Sequence, residues 1–129
     1  MSSKVTVRPA RTGDVRAIQA MRQQLEGSKV LLGHELVTLY EAVPEFLVAV
    51  DDTDSVIGAG ALHVMWEDLA EVRSMVVAEN LRGTGVGHAV LEALLAKAQS
   101  VGIKRVFCLT FETEFFGRSE EHTSELQSP

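Results

Sequence analysis

The chain has 129 residues, 46% of them hydrophobic, and a formal net charge of −6 at pH 7. That length suits one domain with a real core, and the acidity argues against nucleic acid or an anionic membrane as a bulk partner. A single cysteine, Cys108, excludes an internal disulfide. With no basic-led apolar leader and no apolar run long enough to span a bilayer, a cytoplasmic protein is expected.

Lys4 to Arg8 alternates in polarity and predicts a first strand, stopped by Pro9. Thr12 is a good helix N-cap, Asp14 suits a first turn, and Val15, Ile18, Met21 and Leu25 form one apolar stripe. A second helix is expected over Gly33 to Ala42, closed by Pro44. Phe46 to Val50 and Val56 to Trp66 read as strands joined by a hairpin turn at Asp51 to Ser55, with Gly58 and Gly60 inside the second. Ala70 to Val77 follows as a strand. Val86, Val90, Leu91, Leu94, Leu95 and Ala98 then predict a helix beginning near Gly85 and ending near Gly102. Arg105 to Phe111 reads as a last strand, followed by a helix start at Thr113 to Phe116.

The resulting order, β-α-α-β-β-β-α-β-α, predicts an α+β fold. Three successive strands favour antiparallel pairing, and the strand–helix–strand unit from Val72 to Phe111 favours one parallel pair. Residues 1–117 are expected to form one domain. From Arg118 the chain reads RSEEHTSELQSP, which looks like the in-frame translation of a sequencing-library adapter. Residues 118–129 are therefore set apart from the fold as a non-native tail, and the domain is expected to be incomplete at its C-terminal end, with its last strands missing.

The stretch EVRSMVVAENLRGTGVG, Glu71 to Gly87, carries the chemistry. A strand runs into a glycine-spaced basic loop and then a helix, which offers several backbone N–H groups and the positive end of a helix dipole to a phosphate-bearing ligand. A dinucleotide fingerprint is excluded, because Gly83-x-Gly85 meets His88 where a third glycine is required. A phosphate-binding Walker loop is excluded because no lysine follows these glycines. Arg82-x-x-Gly85-x-Gly87 resembles the pyrophosphate loop of the GNAT acetyltransferase superfamily, whose co-substrate is acetyl-coenzyme A. Leu31 to Ala49, Gly58 to Val64 and Arg105 to Phe116 extend the likeness to the short, single-domain N-acetylglutamate synthases of actinobacteria.

That resemblance implies a mixed, mostly antiparallel sheet with flanking helices and a splayed parallel strand pair. It implies transfer of acetyl to the α-amino group of glutamate or glutamine, the first step of arginine synthesis, on a small-molecule substrate and without a metal. Arg82, Gly83, Thr84, Gly85, Val86 and Gly87 are expected to hold the pyrophosphate through backbone N–H groups, and Met75, Val76 and Val77 the pantetheine. Gly85 and Gly87 admit phosphate where a Cβ would keep it away. Glu71 is the candidate base, with an ion pair to Arg73 as its plain alternative, since residues two apart on a strand share a face. Arg73 is also a candidate for a substrate carboxylate, as are Lys29 and His34 more weakly, and Glu112 is a candidate for the substrate amine.

Other residues read as structural. His63 lies inside an apolar strand as a hydrogen-bonded core histidine, His88 is exposed on a first helical turn, and Cys108 packs in mid-strand without a base. Four scattered histidines and one cysteine do not make a zinc site. The tyrosine that many superfamily members use as general acid corresponds here to Phe116. The alternatives are a protein or small-amine acetyltransferase and an inactive coenzyme A-binding fragment. A sheet edge left bare by the missing strands would favour aggregation or a homodimer.

Overall fold

A computed structural model describes residues 4–26, 33–108 and 125–127. Its elements, in chain order, are β1 (Thr6–Pro9), α1 (Val15–Glu26), α2 (Gly33–Glu41), β2 (Phe46–Val50), β3 (Val56–Trp66), β4 (Leu69–Val77), α3 (Val86–Ser100), β5 (Arg105–Phe107) and β6 (Glu125–Gln127). They form one sheet in the order β1-β2-β3-β4-β5-β6. The pairs β1–β2, β2–β3 and β3–β4 are antiparallel, and β4–β5 is parallel across the α3 connection. The α+β plan with one parallel pair is thus the one expected.

The two sides of the sheet carry separate cores. Leu47, Ala49, Leu62, Ala70, Val72, Met75 and Val77 meet Val86, Val90, Leu94 and Ala98 of α3. Phe46, Val48, Ala59, Ala61 and Val76 meet Val15, Ile18 and Met21 of α1 and Leu39 of α2. The strict alternation of β2 divides its residues between the two cores and explains why all five are buried.

Local chemistry accounts for the joints. In the β2–β3 turn, Asp51 Oδ1 accepts from Thr53 N (2.9 Å), Thr53 Oγ1 (2.7 Å) and Ser55 N (3.0 Å), and these donors hold its carboxyl below the usual carboxylate range. α3 ends in a Schellman motif. Gly102, at φ +92°, donates to Gln99 O, and Ile103 donates to Ala98 O at 2.9 Å.

Thr12 does not cap the first helix. A 3-10 turn over Thr12–Asp14 precedes α1, and the Arg11 amide donates to Asp14 Oδ2 at 2.8 Å. Asp14 is drawn inward by a bidentate pair with Arg8 of β1, Nη1–Oδ2 2.8 Å and Nη2–Oδ1 3.1 Å. The Arg8 hydrogen bond holds the Asp14 carboxyl below its ordinary range, against the opposing cost of burial.

At the far side β5 covers Arg105–Phe107; residues 109–111 of the strand expected to Phe111, and the helix start predicted at Thr113 to Phe116, lie outside the described residues. The outer edge of β5 is not bare as expected. Glu125–Gln127, within the segment set apart as a tail, pairs with it antiparallel.

Candidate functional site: a bulged strand and a glycine turn

β4 is the strand on which the site is built. Ala59 pairs with Val76 and Ala61 with Arg73, so Gly60 alone faces both Ser74 and Met75. This is a β-bulge, and Ser74 sits in it at φ +56°. The bulge shifts the alternation by one. Before it, Ala70 and Val72 point to the α3 core; after it, Met75 and Val77 do so, while Val76 points to the α1 side.

The parallel ladder to β5 stops just short of that bulge, at Glu71 opposite Phe107. Val72 to Val77 thus pair on one side only among the described residues. Ala78 N donates to Ile57 O at 2.9 Å. By strand alternation Val77, and Met75 two residues earlier, turn their N–H and C=O groups away from β3 toward the unpaired side. A linear ligand can add to such an edge through main-chain hydrogen bonds.

The glycine turn lies beside that edge. After a 3-10 turn at Glu79–Leu81, Gly83 has φ +83° and Gly85 φ +98°, both left-handed values that glycine adopts without strain. Among the described residues the space around both is open, since a Cβ on either would meet nothing within 4 Å. Gly85 is the N-cap of α3, and no side chain caps it. The first intrahelical bond is Ala89 N to Gly85 O, at 3.0 Å. The amides of Val86, Gly87 and His88 therefore have no acceptor inside the helix, and the dipole is positive there. Thr84 differs from expectation: its N–H (3.2 Å) and Oγ1 (2.5 Å) both donate to Leu81 O, so it shapes the turn.

Two glycines of β3 bring the helix start to the strand. A Cβ on Gly58 would lie 2.8 Å from Val86 Cγ1, and one on Gly60 would lie 2.5 Å from Met75 Sδ and 3.0 Å from Leu94 Cδ1. Gly58 is itself the partner of Val77. The N-terminus of α3 thus sits over the Gly58–Val77 pair, beside the side of β4 that is unpaired among the described residues.

Glu71 and Arg73 project on the opposite, α1 side. Glu71 is buried, at 7% exposure, and its Oε1 accepts from Arg73 Nε at 2.8 Å. The expected ion pair therefore exists. It occupies one carboxylate oxygen and leaves the Arg73 guanidinium half exposed. His63 is a third exposed rather than a core residue, and its Nδ1 lies 2.8 Å from Glu45 Oε2. It stands near the end of β3, where Val64, Met65 and Trp66 emerge into solvent. His88 is exposed and faces Glu92 at 3.6 Å. Cys108 is buried in the α3 core. His34 is in the first turn of α2; Lys29 and Glu112 lie outside the described residues. Among the described residues no group of three His, Cys, Asp or Glu side chains could hold a metal ion, and no helix is long and apolar enough to cross a membrane.

Two features of this site escaped the sequence reading. The left-handed Ser74 was one, although the apolar positions 70, 72, 75 and 77 carry the shift of phase openly. The close approach behind Gly58-x-Gly60 was the other; a pair of glycines in a strand is the usual sign of it.

Comparison with known proteins agrees with this geometry. Residues 17–116 match the model of the Acetyltransferase (GNAT) family. An amino-acid acetyltransferase from Mycobacterium tuberculosis is 52% identical over 114 residues, which are 87% of this chain and 65% of that protein; the chain thus spans just under two thirds of this relative. A crystal structure of a Mycobacterium tuberculosis protein in complex with CoA superposes with a TM-score of 0.75 at 50% identity, covering 88% of this chain and 69% of the other. The N-acetylglutamate synthase of Neisseria gonorrhoeae, complexed with coenzyme A and N-acetyl-glutamate, does so with a TM-score of 0.74 at 25% identity, covering 92% and 28%. A bulged strand paired on one side only past Glu71 among the described residues, an uncapped helix start laid over it and these likenesses agree with one another: the chain belongs to the GNAT acetyltransferase family.

Proposed function

We propose that this protein transfers the acetyl group of acetyl-CoA to the α-amino group of glutamate or glutamine, the first step of arginine synthesis, in the cytoplasm. The observation that carries the reading is the meeting of the α3 N-terminus with the open edge of β4 at the Gly58–Val77 pair. An anion-binding turn and a row of unpaired main-chain groups at one place suit a ligand with a diphosphate at one end and an amide-bearing arm at the other. The resemblance to amino-acid acetyltransferases narrows the acceptor.

In this reading the turn from Arg82 to Gly87, Thr84 excepted, holds the pyrophosphate, with the uncapped amides of Val86 and Gly87 at the start of α3 donating to it. Gly83 and Gly85 leave the space that it needs. Met75 and Val77 align the pantetheine, Val76 between them being turned toward β3 contrary to expectation, and an outward N–H of this segment donates to the thioester carbonyl oxygen where charge develops. Acetyl-CoA supplies an activated acyl group. Glu71 takes the ammonium proton through the oxygen that Arg73 leaves available, directly or through water. An α-amine, with a pKa of about 8 in peptides, needs only modest help to be deprotonated. The exposed part of Arg73 is placed to bind a substrate carboxylate. Lys29, His34 and Glu112 remain proposals for the rest of the acceptor site.

Incubation of the purified protein with acetyl-CoA and a panel of amino acids and peptides, with thiol release and product mass as readouts, tests this. N-acetylglutamate or N-acetylglutamine is the expected product. Turnover of a peptide or simple amine in place of both amino acids would overturn the acceptor assignment. Coenzyme A binding without turnover of any amine would leave only a binding module.

A further inference from the structure

On the α1 side of the sheet one row of residues crosses three strands. His63 of β3 is the register partner of Glu71 on β4, which is in turn opposite Phe107 on β5. Residues directly opposite on antiparallel strands share a face, with Cβ atoms about 5 Å apart. His63 therefore stands beside the candidate base. Its ring is held from behind, because Nδ1 lies 2.8 Å from Glu45 Oε2 in the turn that follows α2. A carboxylate at Nδ1 selects the tautomer whose Nε2 is an acceptor.

Exposure separates the two groups. Glu71 is 7% exposed, whereas the side chains of His63 and Glu45 are each 34% exposed. Among the described residues the charged groups on this face are Glu45 after α2, Glu71 and Arg73 on β4, Arg22 on α1, and the Arg8–Asp14 pair further along. α3 packs on the other face.

Acyl transfer to an ammonium has a proton balance to satisfy. The N–C bond forms and the C–S bond breaks; the nitrogen gives up two protons, the departing thiolate takes one, and one leaves the site in every turnover. Glu71 is nearly enclosed and shares an oxygen with Arg73. We propose that His63, oriented by Glu45, is a second proton-transfer group, which accepts at Nε2 the proton collected by Glu71 and delivers it to water. This rests on the acetyl transfer proposed above.

The test compares wild type, His63→Gln and Glu45→Gln across pH, with and without added imidazole. His63→Gln is expected to lower kcat about tenfold or more, to leave the KM for acetyl-CoA unchanged, and to regain rate in proportion to imidazole. Glu45→Gln is expected to show a smaller loss and a displaced pH profile. An unchanged rate in His63→Gln, or a loss that imidazole does not restore, overturns the proposal while wild-type turnover keeps the acyl-transfer reading intact. If a different amine proves to be the acceptor, the same comparison is made with that amine. A wild type that turns over no amine at all overturns both. Nitrogen-15 NMR adds a readout independent of turnover: the neutral ring should carry its proton on Nδ1, and an Nε2–H tautomer overturns the proposal.

Discussion

On the α3 side of the sheet, β3 and β4 present Gly58, Gly60, Leu62, Ala70, Val72, Met75 and Val77, and the helix settles onto them closely enough that a single methyl group would collide. On the α1 side the same two strands present Ala59, Ala61 and Val76, and also His63, Glu71 and Arg73, with Arg8 and Asp14 paired further along. One face is almost wholly apolar and fixes the position of a helix terminus. The other carries polar and charged groups, each with a partner. In the proposed function the difference is a division of labour along one strand: its edge and apolar side would place the co-substrate, while its polar side would act on the acceptor. A buried charge needs a partner, and a close helix contact needs small residues, so the two tasks could not share a face.

Four changes test that division. Glu71→Gln, on the polar side, is expected to lower kcat about 100-fold or more, while the rise in melting temperature caused by coenzyme A persists. If the two readouts fall together, the faces are not separate. Gly60→Ala, on the apolar side, places a Cβ against Met75, Leu94 and Val90 and should cost about 1–3 kcal/mol in urea denaturation. Stability at wild-type level would show that α3 can yield. Gly85→Ala meets no neighbour, so its stability cost is the left-handed backbone alone, about 1–2 kcal/mol. Calorimetric titration should show weaker coenzyme A binding as well, and undiminished affinity would detach the turn from the ligand.

The smallest effect is expected at Asp14. Its carboxyl titrates lower folded than unfolded, so its contribution is complete above the unfolded value near 4 and is lost as the pH falls through the folded one. Asp14→Asn should cost about 1 kcal/mol at pH 7. The gap from wild type should narrow below about pH 4 in acid denaturation curves. A constant gap would mean that the carboxylate charge contributes nothing.

Much of this could be read from the chain. Phe46–Val50 and Val56–Trp66 appear with the expected bounds because alternation and turn chemistry agree there, and Gly102 ends α3 as a left-handed residue should. The glycine turn was visible in its spacing. What escaped depends on partners brought in by the fold. Thr12 lost the cap because Arg8, on a neighbouring strand, steadies Asp14 in a position to serve Arg11. His63 looked like a core residue because its strand is apolar up to that point, yet β3 emerges into solvent from Val64 onward and Glu45 arrives from another segment. Glu71 and Arg73 were legible as a pair, since two residues suffice to put them on one face.

The left-handed serine in β4 has a bearing on how this sequence can change. It acts as a frame marker for everything downstream on its strand. A substitution beside it alters one side chain, but removing Ser74 would restore the plain alternation, exchange the inward and outward identities of Met75, Val76 and Val77, and re-aim their main-chain amides. Length at this point is therefore a stricter constraint than identity. Insertions and deletions should be tolerated in the surface turn at Asp51–Ser55 long before they are tolerated here.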